Sequence, residues 1–441
     1  MTSDISHGCP EMNTFPNISQ VAVLIPILGA FAGLLFRKRP KGLLLWFQGM
    51  SALLLAFLCF VSDAIFDPAS VPLVFMVTLS AFFAVLGRRL KSTPAVDLFE
   101  IGGLCGLGLG FLLTPHTLSL LFLIGVFALL IAIQLRTAGL SNPGTRWVIG
   151  LYGMGILWIM VAFSLSGAAK QGALFLACLT LLPLFPFHGA YTSLLKGLSG
   201  VLPAFLAIFL PALGLYGLLP LLPGLPDGIK GIIQVCAALG MAMGALRALA
   251  QIRIPHLLAQ CALVFWSILW LALCLPAVSP AAGTLFLSAA GLTLCGLFLS
   301  WHGLKARYGD LLLDHFSGLA SVMPRFSILF ALLIMAATGL PFLGVFSGLI
   351  ELAFSPSMTF SWGFVLILTA WFFMSWRLPL LMQQTLFRKS NPNWMYHDYT
   401  PREAAALALI VITLVILGLA PYALPGLDHL NTASEIAMKT K

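Results

Sequence analysis

Six ionisable side chains stand inside or at the ends of long apolar stretches of this chain: His188, Arg247, His256, His302, Lys305 and Glu351. Their types suit proton or ion movement. An unperturbed imidazole titrates near neutral pH and passes protons in both directions. A buried carboxylate can accept a proton or hold a cation, and charges at bilayer depth are costly enough to be rare without a function. Arginine keeps its proton, so Arg247 can act as a fixed positive charge but not as a relay. Each group also has a bland reading. His188, next to Pro186-Phe187, and His256, after Pro255, fit hydrogen-bonded structural or capping roles. Arg247 and Arg377 fit snorkelling to the membrane surface. Glu351, His302 and Lys305 fit interfacial anchors. Asp97 and Glu100 read first as a solvated helix start with favourable dipole placement; the alternatives are a cation site, or pairing with Arg88, Arg89 or Lys91.

The elements that must position these groups are apolar helices. Of 441 residues, 60% are hydrophobic and 8% are charged, against about 25% charged in soluble domains. Apolar runs recur along nearly the whole chain with short loops between them. In hydrocarbon each run must satisfy its own backbone, which forces helix. The runs lie near 21–36, 43–61, 70–87, 101–114, 117–135, 147–167, 172–187, 200–222, 229–250, 256–276, 280–301, 326–353, 359–386 and 404–424. The expected fold is therefore all-α, a polytopic membrane protein of about fourteen transmembrane helices. Polar tails of 1–20 and 425–441 flank a single membrane domain of 21–424.

The net charge of +9 does not point to nucleic acid, because the basic residues fall in loops. With the N-terminus outside, the inner loops carry Arg37, Lys38, Arg39, Lys41, Arg88, Arg89, Lys91, Arg136, Arg146, Lys196, Arg253, Lys305, Arg307, Arg325, Arg388, Lys389 and Arg402. The outer loops carry Lys170 and Lys230. This asymmetry sets an orientation with both termini on the non-cytoplasmic side. Eight cysteines lie scattered without a CxxC pair and read as packing residues. No zinc spacing, nucleotide loop or nucleophile elbow is present, so neither a metal nor a cofactor is expected.

Proline marks depth in two runs: Pro203 and Pro211 in 200–222, and Pro341, with Gly339, in 326–353. A pair of broken helices in the two halves of a transporter points to an inverted repeat with a midplane ion site. Two ordinary proline kinks are the alternative.

Four motifs in order carry a resemblance: Pro186-Phe187-His188 with Gly214-Leu215-Tyr216; Ala245-Leu246-Arg247-Ala248-Leu249-Ala250-Gln251 with Leu257-Leu258-Ala259; Arg307-Tyr308-Gly309-Asp310 with Phe316-Ser317-Gly318-Leu319-Ala320 and Met323-Pro324; and Gly339-Leu340-Pro341 with Gly344-Val345-Phe346-Ser347-Gly348. Over roughly residues 100–380 the chain resembles the proton-conducting antiporter-like subunits of complex I, membrane-bound hydrogenases and Mrp antiporters. The resemblance implies two broken helices in an inverted repeat, proton or cation movement, partner subunits in a larger complex, and the inner membrane of a bacterium. It does not make the chain a catalyst by itself, although it suits a subunit of a proton-translocating quinone reductase or hydrogenase. The family's titratable positions fall near Val126, on Ala212, near Phe265, near Leu294 and on Leu349. No Asp or Glu occurs between Ile101 and Pro226, nor between Gly228 and Gly309. A carboxylate relay across the centre is thereby excluded. Other readings are a non-conducting scaffold for a catalytic partner, and the membrane half of a two-component bicarbonate/CO2 uptake system with a cytoplasmic, carbonic-anhydrase-like subunit.

Overall fold

A proline or a helix break in hydrocarbon frees backbone groups that no water will cover, and the architecture shows where those groups go. A computed structural model describes residues 69–88, 96–114, 116–275, 278–309, 318–354, 362–387, 396–424 and 427. The runs expected near 21–36 and 43–61, the N-terminal tail and all but residue 427 of the C-terminal tail lie outside the described residues.

Among the described residues the chain forms fifteen α-helices and no strand. They are α1 (Val71–Leu86), α2 (Val96–Leu113), α3 (His116–Ala138), α4 (Pro143–Ser164), α5 (Gly167–Leu179), α6 (Gly189–Gly197), α7 (Leu202–Leu218), α8 (Asp227–Ala250), α9 (Ile254–Leu273), α10 (Pro280–Tyr308), α11 (Leu319–Val322), α12 (Pro324–Ala337), α13 (Gly344–Ala353), α14 (Trp362–Leu386) and α15 (Pro401–Leu419). Seven of them, α3, α4, α8, α9, α10, α14 and α15, are each long and apolar enough to cross a membrane. Proline at the first or second position starts several of them, where its missing N–H costs nothing. The 29-residue α10 is the central post, with its apolar span wholly buried.

The order repeats. Helices α2, α3 and α4 are continuous, α5 and α6 form an interrupted pair, and α7 is continuous. Helices α8, α9 and α10 are again continuous, α12 and α13 are interrupted, and α14 is continuous. Each unit has five crossings if an interrupted pair counts as one. An odd number makes the second unit start from the opposite side, which is an inverted repeat.

The interruptions fall where the sequence suggests in one unit and not in the other. Between α12 and α13 the break runs through Gly339 (φ +74°) and Phe342 (φ +73°) to Leu343. Gly339 is required twice: its backbone is left-handed, and a Cβ there would lie 1.9 Å from the Trp371 ring. The first break is not in 200–222. Pro203 sits in the first turn of α7, and Pro211 lies inside an unbroken helix. The break is one element earlier, between Leu179 and Gly189, a stretch that contains Pro183 and Pro186.

Side-chain donors explain the difference. Pro211 has no N–H to give to the carbonyl four residues back, Ala207. The Tyr191 hydroxyl of α6 donates to that carbonyl at 2.9 Å, and Trp266 of α9 donates its indole N–H to the Tyr191 oxygen at 2.9 Å. One turn along α9, Trp270 donates to the Leu182 carbonyl, freed by the first break, at 3.2 Å. At the second break Trp371 of α14 donates to the Thr338 carbonyl at 3.0 Å. Buried backbone acceptors are thus met by aromatic N–H and O–H groups, which also supply apolar bulk.

Tyr191→Phe removes the donor to Ala207 and the acceptor for Trp266, at a cost of about 1–3 kcal/mol for stranded buried groups. Melting of the detergent-solubilised protein should fall accordingly. Tyr152→Phe, which removes a buried hydroxyl with no partner, should leave melting unchanged or raise it.

Candidate functional site

Four buried polar atoms without a hydrogen-bond partner lie on or beside the first interruption. His188 occupies the N-cap position of α6, half-buried, and its side chain caps nothing. Its ring stacks on Phe185 at 5.8 Å between centroids, and Nδ1 is buried without a hydrogen-bond partner. The cations near the ring are Arg247 and Lys196.

Three further orphan atoms lie on the elements that frame this break: Tyr152 Oη on α4, and Gln260 Oε1 and Ser267 Oγ on α9. Ser267 is informative because other buried hydroxyls return to the carbonyl four residues back, as Ser288, Thr293 and Ser300 do at 2.7–2.8 Å. Ser267 makes no such bond. Opposite it, Gly240 of α8 packs closely: a Cβ there would lie 2.6 Å from Ser267 Oγ and 3.5 Å from Phe185 Cβ. Buried polar groups this costly to leave bare are usual water positions.

The second cluster lies at the end of α10. Arg307 grips Glu403 of α15 with two guanidinium nitrogens, one at 3.0 Å, and donates to the carbonyls of Gly303, His397 and Asp398. Both side chains are 3% exposed, and the guanidinium lies 4.7 Å over the Tyr399 ring. Glu403 also completes a capping box with Thr400. Thr400-x-x-Glu403 carries that signature in the sequence; sequence reasoning placed Arg307 in a loop and missed the pair. Such bidentate geometry satisfies both ions and locks α10 to α15. His302, buried, lies within electrostatic range of Glu403, Arg88, Lys305 and Arg307, and its Nε2 is unpartnered. Lys305 is half-buried in the last turn of the same helix.

Asp97 and Glu100 correct an expectation. They are not a solvated helix start: both are buried, at 5% and 4% exposure. Glu100 pairs with Arg136 of α3 at 2.5 Å. Asp97 faces the charges of Arg88 and Arg136, but burial dominates and raises its pKa above the ordinary carboxylate value.

The structure does not bring all six sequence candidates into one path. His188 and Arg247 share a neighbourhood; His302 and Lys305 share another. His256 is half-buried in the first turn of α9. Arg247 is exposed in the last turn of α8. Glu351, half-buried, accepts a hydrogen bond from Tyr422 at the opposite end of the bundle. Arg377 does not snorkel: it is buried and donates to the Gln251 carbonyl at 2.8 Å, capping the C-terminus of α8. Sequence reasoning passed over Tyr152, Tyr191, Trp266 and Ser267. The Pro211 gap at Ala207 was their one legible signal. The family's titratable positions carry packed apolar side chains here: Val126, Ala212, Phe265 and Leu294 are fully buried, and Leu349 is 9% exposed.

Two interrupted helices in five-crossing inverted units define an antiporter-like membrane subunit. The family model described as NADH:quinone oxidoreductase/Mrp antiporter, transmembrane, matches residues 115–375. The chain belongs to that family. No curated protein sequence matches it. Among solved structures, a chain of respiratory complex I from Thermus thermophilus with bound NADH superposes with a TM-score of 0.82 at 21% identity, covering 95% of this chain and 99% of that one. A chain of the membrane-bound sulfane sulfur reductase, an archaeal respiratory membrane complex, gives 0.82 at 16% identity, covering 95% and 97%. A chain of the Mrp complex from Dietzia sp. DQ12-45-1b gives 0.80 at 15%, covering 93% and 96%. At these identities the likeness is one of fold.

One test follows from the charges. Glu403→Ala strands the buried Arg307, at about 3–5 kcal/mol, and should lower melting far more than the double variant Arg307→Met with Glu403→Leu.

Proposed function

We propose that the chain is a membrane subunit of a larger energy-coupling complex and moves protons, or another cation, in step with a partner's activity. The observation that carries this reading is the set of unfilled polar atoms around the first interruption: His188 Nδ1, Tyr152 Oη, Gln260 Oε1 and Ser267 Oγ. Each is a position that can hold a water molecule between apolar helices. Water lets a proton cross a region without a carboxylate, and the His188 imidazole can accept and return it. Membership of the NADH:quinone oxidoreductase/Mrp antiporter family supports this reading, as does the likeness to chains of respiratory and Mrp complexes.

The chain would sit in the inner membrane of a bacterium, with its basic end in the cytoplasm. Consecutive helices alternate in direction, so Arg88, Arg136, Lys196, Arg247, Lys305, Arg325 and Arg402 gather at one end of the bundle, and Lys170 and Lys230 lie at the other. Loops rich in Lys and Arg stay on the cytoplasmic side. Reporter fusions at the two termini should both read non-cytoplasmic.

One observation favours a second reading, a non-conducting scaffold that anchors a catalytic partner: the buried Val126, Ala212, Phe265, Leu294 and Leu349 at the family's titratable positions. Proton flux through the reconstituted complex separates the two. Conduction predicts that Ser267→Ala and Tyr152→Phe, which break no hydrogen bond among the described groups, slow flux about tenfold, a barrier change of ~1.4 kcal/mol. His188→Ala should slow it at least as much. Flux unchanged by all three, with the fold intact, removes the path. An active complex without any flux establishes the scaffold.

A further inference from the structure

Away from the basic end, a cavity of about 830 Å³ opens where α1 and α3 begin and α2, α4 and α7 end, against α5. Its size is that of a site for an organic ligand, about 300–1,000 Å³. Its inner wall is apolar and reaches Leu174, Cys178 and the ring of Tyr216. Its rim includes Phe163, an exposed aromatic, and Lys170 with Gln171.

The lining decides what can enter. Among the described residues that line it, Lys170 is the one charged side chain. It is exposed and has no part in the ion pairs of the described residues. The absence of a carboxylate among those described residues argues against a metal or organic cation. A lysine at the mouth repels protons and cations, so the cavity makes a poor entrance to an ion path. A lone ammonium above a deep apolar wall instead matches an anionic head joined to hydrocarbon. The mouth lies at a helix end, the level of lipid headgroups, and hydrocarbon entering from the bilayer needs no dehydration.

We propose that this cavity is a binding site for an anionic phospholipid, with the phosphate held by Lys170 and Gln171 and one acyl chain laid along Leu174 toward Cys178 and Tyr216. The occupant would fill the space between the ends of α4, α5 and α7 and brace the outer half of the first interrupted helix. Nothing in this assignment depends on whether the chain conducts ions.

Native mass spectrometry of the full chain, released from nanodiscs of mixed phosphatidylglycerol and phosphatidylcholine, tests the proposal. The expected result is one tightly retained phosphatidylglycerol. Leu174→Trp, which fills the cavity, should abolish retention. Lys170→Gln, an exposed substitution that cannot disturb packing, should reduce the preference for phosphatidylglycerol about fivefold, the scale of one lysine at an anionic surface. Equal retention of both lipids by the unaltered protein overturns the proposal, as does retention unaffected by Lys170→Gln. A photo-crosslinker at position 174 that captures residues 1–68 of the same chain, rather than lipid, overturns it too.

Discussion

Backbone carbonyls released inside hydrocarbon are the constraint on which the rest of this structure depends. A continuous helix hides its polar groups, whereas each interruption or internal proline exposes some of them where water is scarce. Three such carbonyls, Leu182, Ala207 and Thr338, are met by Trp270, Tyr191 and Trp371. Each donor sits on a different helix from its acceptor, so the clamps also tie the bundle together. Tyr191 carries two tasks, giving its proton to Ala207 and accepting from Trp266. The i, i+4 spacing of Trp266 and Trp270 puts both indoles on one face of α9, and that face stitches α6 and the broken segment to the bundle.

The distribution of charge follows a complementary logic. Among the described residues each buried carboxylate lies near a helix end and meets a cation: Glu403 with Arg307, Glu100 with Arg136, Asp97 with Arg88. Arg377 uses its charge on the carbonyl that ends α8 instead, in keeping with the negative end of a helix dipole. These contacts staple consecutive and distant helices at one end of the bundle. The middle is left to neutral polar groups, and there the hydrogen bonding is incomplete. A charged centre would need compensating partners on neighbouring helices; a neutral, under-satisfied centre needs only water.

Much of this was legible in the sequence. Apolar run length placed the helices, because hydrocarbon thickness and backbone satisfaction leave few alternatives. The break at Gly339 was visible because glycine beside proline cannot sustain a helix and a left-handed residue is needed there. The other break was misplaced for a physical reason: a proline signals only a missing donor, and tertiary donors decide whether the helix breaks. At Pro211 Tyr191 repairs the gap; at Pro183 and Pro186 two N–H groups are lost within four residues and the chain leaves the helix. Buried ion pairs were hidden for a similar reason. Arg307 and Glu403 are 96 positions apart, and nothing in local pattern tells a loop arginine from one that reaches across to another helix.

The interruptions are costly, and that bears on their use. Each requires aromatic donors, and the second also holds Phe342 in a left-handed backbone that non-glycine residues avoid. A bundle selected only to anchor a partner could be built from continuous helices without orphan atoms at Ser267, Tyr152 or His188. The buried leucines and phenylalanine at the family's titratable positions argue that the usual charged stations are gone. They do not account for the retained breaks or for the bare polar atoms beside the first of them. The proposed path over water and His188 would account for both, since it needs an opened helix to admit water.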